Sequence, residues 1–236
     1  MADKLISALS DWKIPHDGTV LEKFSLYMEQ VISWNKKINL TAITDRDAFV
    51  EKHFVDSLLC WNFPGLRAAK TVIDVGTGAG FPGIPLAILS PEQKFFLLDS
   101  VGKKISALRE IAGRLSLDNV TLLCGRAEDI AIDAAHREQY NVCVSRAVAP
   151  LPVLAEYCLP LVSIGGWMLA YKGSEISGEL EKSGRAIEIL GGKIAEFWKP
   201  PLAGFSLDHQ IVAIRKVEPT PAEYPRRAGR PPKKPL

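Results

Sequence analysis

Residues 71–89 read TVIDVGTGAGFPGIPLAIL, and no other stretch constrains the chain as tightly. A short β-branched run carries an acid, Asp74, two residues before the first of four closely spaced glycines, Gly76, Gly78, Gly80 and Gly83. A helix-compatible segment follows. The pattern is strand, glycine turn, helix. Backbone without a Cβ lets a ligand approach closely, and the amides that open a helix are unpaired donors. The segment therefore marks a nucleotide or nucleoside site and places the chain in the α/β class.

The flanking sequence extends this reading. From Thr71 onward, strand-like runs at 71–75, 94–99, 120–124, 140–145 and 166–172 alternate with helix-compatible segments near 82–90, 102–116, 150–162 and 175–190. Such alternation builds a parallel sheet covered on both faces. The last two runs, 192–199 and 207–215, are separated by too few residues for a crossover helix, so a hairpin with an antiparallel strand is expected there. The first 70 residues read as helices. Thr19 and Glu22 form a capping-box pattern ahead of an apolar helical repeat, and a further helix is expected after Thr44. At 236 residues and 47% hydrophobic content, one α/β unit with an extension accounts for the length.

Asp99 ends the second strand, at the distance beyond the glycine turn where an acid can accept hydrogen bonds from ribose hydroxyls. Residues 78–83, GAGFPG, satisfy the dinucleotide pattern, while DVGTGAG (74–80) resembles motif I of class I S-adenosylmethionine-dependent methyltransferases. Asp74 would repel a pyrophosphate and attract a cationic methionine moiety. Pro82 and Pro85 remove amide donors that a pyrophosphate would use. Both features favour the sulfonium nucleoside, as does the antiparallel end of the sheet. After the third strand, GRAEDI (125–130) lies where strand ends line a ligand crevice. In such methyltransferases that loop contacts the adenine, which singles out Ala127 and Glu128.

The loop after the fourth strand, SRAVAPL (145–151), is the expected place for substrate chemistry. It lacks the Asn/Asp-Pro-Pro-aromatic loop that accompanies exocyclic amine acceptors and a Pro-Cys nucleophile, and no organised base is evident. A purine ring nitrogen needs none of these, because it already presents a lone pair. Arg146 could pair with a carboxylate or a phosphate, or form a structural ion pair with Asp74 or Glu128. His53 and Asp56, i and i+3 on one predicted helix face, can hydrogen-bond to each other and could cap the cleft. Lys172 could meet RNA phosphate or be a solvated strand end. Lys103 and Lys104 open a helix, where the macrodipole disfavours cations, which suggests an anion. Trp34 could stack on a base or pack in the core.

WNKKINLT (34–41), EKHFVDS (51–57), IDVGTGAGFPGIPLAI (73–88), LLDSVGKK (97–104), SRA (145–147), YKG (171–173) and the terminal YPRRAGRPPKKPL together resemble the bacterial small-subunit ribosomal RNA guanine-N7 methyltransferase family, RsmG or GidB. The resemblance runs nearly end to end. It implies a Rossmann-like, mostly parallel seven-stranded sheet with a terminal antiparallel strand. It implies methyl transfer from S-adenosylmethionine to N7 of guanine 527, in the 530 loop of 16S rRNA, by positioning rather than acid/base catalysis and without a metal. Asp74, Gly76, Gly78, Gly80, Phe81, Asp99, Ala127, Glu128 and Arg146 would then line the cofactor, Arg146 also serving as a positioning residue. The domains would be a helical extension (1–70), the methyltransferase domain (71–217) and a basic proline-rich tail (218–236).

The net charge of +2 conceals that tail: residues 224–236 carry five cations and no acid, leaving −3 on the remainder. A basic end suggests a polyanion partner, here 16S rRNA or the 30S subunit, with Arg226 and Arg227 as contacts. The alternative is a disordered, solubilising end. The four cysteines form no CxxC pair, which fits a reducing cytoplasm, and Cys124 and Cys143 read as buried small hydrophobes. No membrane association is expected, and a monomer is.

Overall fold

The computed structural model describes residues 2–201, 204, 205, 207 and 209–236. Two helices, α1 (Ala2–Asp11) and α2 (Gly18–Asn35), lead into α3 (Arg46–Phe49), a π-helical turn at Val50–Val55, a 3-10 turn at Leu58–Cys60 and α4 (Pro64–Arg67). Asp17, not Thr19, caps α2: its side chain accepts the amide of Val20 at 2.9 Å, and Thr19 lies already inside the helix. Asp45 caps α3 in the same way, through Ala48. The expected helix after Thr44 therefore begins one residue later and widens into the π turn.

The alternating pattern gives β1 (Thr71–Val75), α5 (Gly83–Leu89), β2 (Lys94–Asp99), α6 (Gly102–Arg114), β3 (Val120–Cys124), α7 (Ala127–Ile130), β4 (Tyr140–Arg146), α8 (Leu151–Cys158), β5 (Val162–Gly173), α9 (Ser177–Ile189), β6 (Gly192–Trp198) and β7 (His209–Lys216). The seven strands lie in the order β3-β2-β1-β4-β5-β7-β6. β1 to β5 pair in parallel, and β7 runs antiparallel between β5 and β6. The fifth strand starts four residues before its predicted start. The register shift against Tyr140 and the positive φ of Gly165 hide its beginning from the apolar pattern. The turn expected between the last two strands includes residues 202, 203 and 206, and the strand expected from 207 includes 208; these four lie outside the described residues.

Side chains alternate across the sheet. Val72, Val142, Val144, Leu169 and Tyr171 face a core shared with α1, α2, the π turn, α5 and α6. Ile73, Val75, Cys143, Met168 and Ala170 face a second core under α8 and α9. The N-terminal helices are thus the cover of one sheet face. Cys143 is buried as expected, but Cys124 is exposed, because β3 is the edge strand. No helix among the described residues is long and apolar enough to cross a membrane.

Strand order reverses between β1 and β4, since the chain moves outward from β1 to β2 and β3 and then returns to the other side for β4. In open sheets of this kind a ligand crevice opens at the carboxyl ends of the strands at that point. One long tie holds the cover to the turn beside it: the buried Tyr27 hydroxyl donates to the Ala79 carbonyl at 2.8 Å. Tyr27→Phe leaves that carbonyl unpaired, and chemical denaturation should show a loss of about 1–3 kcal/mol.

Candidate active site

The glycine turn after β1 is held by two carboxylates. Asp74 is 1% exposed; its Oδ2 accepts the Thr77 hydroxyl at 2.7 Å and the Gly83 amide at 2.9 Å, while its Oδ1 has no hydrogen-bond partner. Asp99 accepts the Gly78 amide at 3.0 Å and the Val101 amide at 2.8 Å. The amides of Gly76 and Thr77 donate to the Leu98 carbonyl. The turn is thereby stitched to the tip of β2. The glycines have different duties. A Cβ on Gly80 would strike Ile84 and the Tyr27 hydroxyl at 2.6 Å, so Gly80 serves packing. At Gly78, φ is +61° and a Cβ would meet nothing nearer than 3.9 Å, so that face of the turn is open.

Over the turn lies a cavity of about 380 Å³ lined by Gly76, Asp99, Lys104, Ala127, Glu128, Val148 and Tyr157. It matches a nucleoside in its parts. Asp99 carries unused lone pairs for a diol, Ala127 and Tyr157 supply apolar wall, and Gly76 and Gly125 bring backbone into the lining. The unpartnered oxygen of Asp74 behind the turn suits a cationic ligand better than an anionic one. Among the described residues no group of three His, Cys, Asp or Glu side chains could hold a metal.

A second cavity of about 270 Å³ abuts the first, and Ala147 lies in both walls. Its lining comes from the π turn (Lys52, His53) and the residue that follows it (Asp56), the end of β4 (Arg146) and the start of β7 (His209), with Ile43 and Leu207. Asp56 is the hub: Oδ2 accepts from Arg146 at 2.6 Å and Oδ1 bonds to His209 Nδ1 at 2.8 Å. Arg146 also donates to the Lys52 carbonyl and lies 5.2 Å from the centroid of the Phe81 ring. His53 stacks on Phe81 with centroids 4.5 Å apart and bonds through Nε2 to the Thr41 hydroxyl at 2.7 Å. Burial, reinforced by the Arg146 charge, lowers the His53 pKa to about 4, so its ring is neutral.

Several expectations are redirected. His53 and Asp56 do not bond to each other; the π turn turns one toward Thr41 and the other toward Arg146 and His209. Arg146 pairs with Asp56, not with Asp74 or Glu128. Asp74, Gly78, Gly80 and Phe81 stand outside the first cavity, Phe81 being buried among Tyr27, Phe49, His53 and Phe54. Lys172 faces inward, bonded to Glu179 at 2.7 Å and to the Ala149 carbonyl at 2.8 Å, where it braces the loop after β4. Arg226 is engaged with Glu156 at 2.5 Å, while Arg227 is exposed. Trp34 packs against the first core, and Lys104 reaches the nucleoside-sized cavity. His209, Val148 and Tyr157 had no local sequence signal. Only the reversal of β7, which sets His209 opposite Gly173 at the carboxyl end of β5, brings that histidine to the site.

The chain is similar to known proteins over nearly its whole length. A family model described as GidB, rRNA small subunit methyltransferase G, matches residues 20–199. Proteins named ribosomal RNA small subunit methyltransferase G from Clostridium tetani and from Roseiflexus sp. are each 44% identical to this chain over 234 residues. These matches cover 99% of this chain and 98% and 99% of those proteins. Among solved structures, a SAM-dependent O-methyltransferase from Thermotoga maritima aligns at TM-score 0.53 and 14% identity, over 81% of this chain and 73% of that one. A ribosomal protein L11 methylase from Lactobacillus delbrueckii subsp. bulgaricus aligns at 0.50 and 17%, over 70% and 78%. The fold is that of the S-adenosylmethionine-dependent methyltransferases.

Asp74 and His53 respond to acid in opposite senses. Burial raises the Asp74 pKa from 3.8 to about 6, so its folded form takes up a proton more readily than the unfolded chain. Its contribution to stability is full below 3.8 and is lost as pH rises through 6. The lowered pKa of His53 makes its contribution full above 6.5 and lost as pH falls toward 4. Between pH 6 and 4 the two offset each other. Asp74→Asn should therefore steepen the acid loss of unfolding free energy by up to about 3 kcal/mol, measured by urea denaturation across that range. Parallel curves for variant and wild type would contradict the assignment.

Proposed function

The chain belongs to the rRNA small subunit methyltransferase G family, and from that premise we propose that it transfers a methyl group from S-adenosylmethionine to N7 of a guanine in 16S rRNA, guanine 527 of the 530 loop. The observation that carries the reading is the junction at Ala147. A nucleoside-sized cavity meets a second cavity walled by a neutral histidine and a pinned arginine.

The roles of the residues follow from that arrangement. S-adenosylmethionine supplies an electrophilic methyl group when bound. Asp99 would accept from the ribose hydroxyls, with Ala127 and Glu128 walling the adenine and Gly76, where a Cβ would strike Val148, contributing backbone to the wall. The negative field of Asp74 favours the cationic end. In the second cavity Asp56 fixes the guanidinium of Arg146, whose donors suit the O6 carbonyl of the guanine or a flanking phosphate and leave the N7 lone pair free. The neutral His53 ring adds no positive charge where the methylated base itself becomes cationic. N7 has a lone pair and no proton to remove, so orientation and exclusion of water suffice; proximity effects of this kind can lower a barrier by about 7–11 kcal/mol. The buried and ion-paired state of Asp56 supports a positioning role rather than that of a base.

Incubation with labelled S-adenosylmethionine and either 16S rRNA or 30S subunits, followed by mapping of N7-methylguanine, tests acceptor and substrate together. Label should enter a single guanine. No incorporation into either substrate, or thermal protection by a nicotinamide dinucleotide and not by S-adenosylmethionine, would overturn the proposal. Asp99→Asn should raise the dissociation constant for S-adenosylmethionine about tenfold, the loss of one charge-assisted hydrogen bond. Arg146→Lys keeps the charge and loses the planar fork; kcat/KM should fall about 10- to 100-fold with little change in cofactor affinity.

A further inference from the structure

The basic C-terminal segment is not a loose appendage. Arg137 grips its start, donating to the carbonyls of Tyr224 at 2.8 Å and Thr220 at 2.7 Å. In its middle, Arg226 forms a fork on Glu156: its amide and Nε reach Oε1, each at 2.8 Å, and Nη2 reaches Oε2 at 2.5 Å. Glu156 is fully buried, so Arg226 is the partner that neutralises an interior carboxylate. Three residues on, the Gly229 amide donates to Glu128 Oε1 at 3.1 Å. The chain ends with Leu236 against the second core. Residues 220–236 thus form a strap over α7 and α8, and its central hydrogen bond falls on a side chain that lines the nucleoside-sized cavity.

The other cations of the strap point the opposite way. Arg227, Arg230, Lys233 and Lys234 are exposed, while Pro225 before them and Pro231 among them are buried. Four positive charges within eight residues, with no acid among them and the strap anchored at Pro225, Arg226, Gly229 and Pro231, make a preorganised surface for a phosphate backbone. Crowding these charges on a docked strap is electrostatically unfavourable, and a polyanion relieves it. We propose that this strap is an RNA-docking surface coupled to the cofactor site: RNA phosphates on Arg227, Arg230, Lys233 and Lys234 favour the docked strap, the docked strap holds Glu128 in the cavity wall, and RNA and cofactor therefore bind with positive cooperativity. The inference rests on the methyltransferase reading above. By linkage the effect is reciprocal, the cofactor tightening RNA by the same factor.

The test is calorimetric titration of the full-length protein with S-adenosylhomocysteine, with and without saturating purified 16S rRNA, alongside RNA binding across a salt series. For the wild type, RNA should lower the dissociation constant about fivefold. The surface variant Arg230→Ala/Lys233→Ala/Lys234→Ala should bind S-adenosylhomocysteine without RNA at least as tightly as the wild type, because the crowding is relieved, lose most of the RNA effect, and reduce the slope of log K against log salt by about 2. The latch variant Glu156→Gln/Arg226→Gln removes both buried charges together. It should weaken S-adenosylhomocysteine severalfold in the absence of RNA while still melting cooperatively. An unaltered salt slope in the surface variant, or an affinity in the wild type indifferent to RNA, overturns the inference. Loss of methyl incorporation with the cooperativity intact would strike only the functional reading, so the two failures are distinguishable.

Discussion

The grip of two carboxylates on the turn between β1 and α5 is the constraint on which the remaining architecture depends. Asp74 binds the turn from within, through Thr77 and Gly83, and Asp99 binds it from the neighbouring strand, through Gly78. A turn with so many glycines has a large conformational entropy to lose, and these bonds hold it in one shape. The cost is a buried carboxylate with an unpartnered oxygen and a raised pKa. A cation bound nearby would relieve that cost, so the same group that holds the turn also biases what the cleft accepts.

The second cavity shows how a site can be assembled without any local motif. Its parts come from a π turn, the end of a parallel strand and the start of a reversed strand. Asp56 joins residues 90 and 153 positions away from it in the chain. The π turn matters because its extra residue per turn re-aims the side chains that follow. In a regular helix His53 and Asp56 would share a face; here one stacks on Phe81 and the other holds Arg146. On the proposed function the chemistry asked of this cavity is modest: shape, a fixed cation and a dry wall, which a packed scaffold supplies more readily than it supplies a tuned acid/base pair.

The C-terminal strap illustrates the ambiguity of charge in a sequence. A run of cations and prolines fits a disordered tail as well as a binding surface. Burial of Glu156 separates these readings, because an interior carboxylate needs a partner, and Arg226 answers it. One arginine of the run is thus structural while its neighbour Arg227 stays exposed, a difference that composition cannot express.

By itself the sequence determined the strand–turn–helix unit at 71–89, the order of elements from Thr71 onward, the acid at the tip of β2 and the family to which these motifs belong. These features are local: β-branched runs, glycines without a Cβ and the alternation of periodicities act over a few residues, and so they are written contiguously. Tertiary structure alone decided that Arg146 pairs with Asp56, that Lys172 braces a loop instead of meeting solvent, that Cys124 lies exposed on an edge strand, that His209 joins the site and that Arg226 is a latch. Each of these outcomes depends on which elements become neighbours when the sheet reverses its strand order and closes with an antiparallel strand. The energies that select such pairings come from desolvation and charge brought together across dozens of residues, and no local pattern carries them.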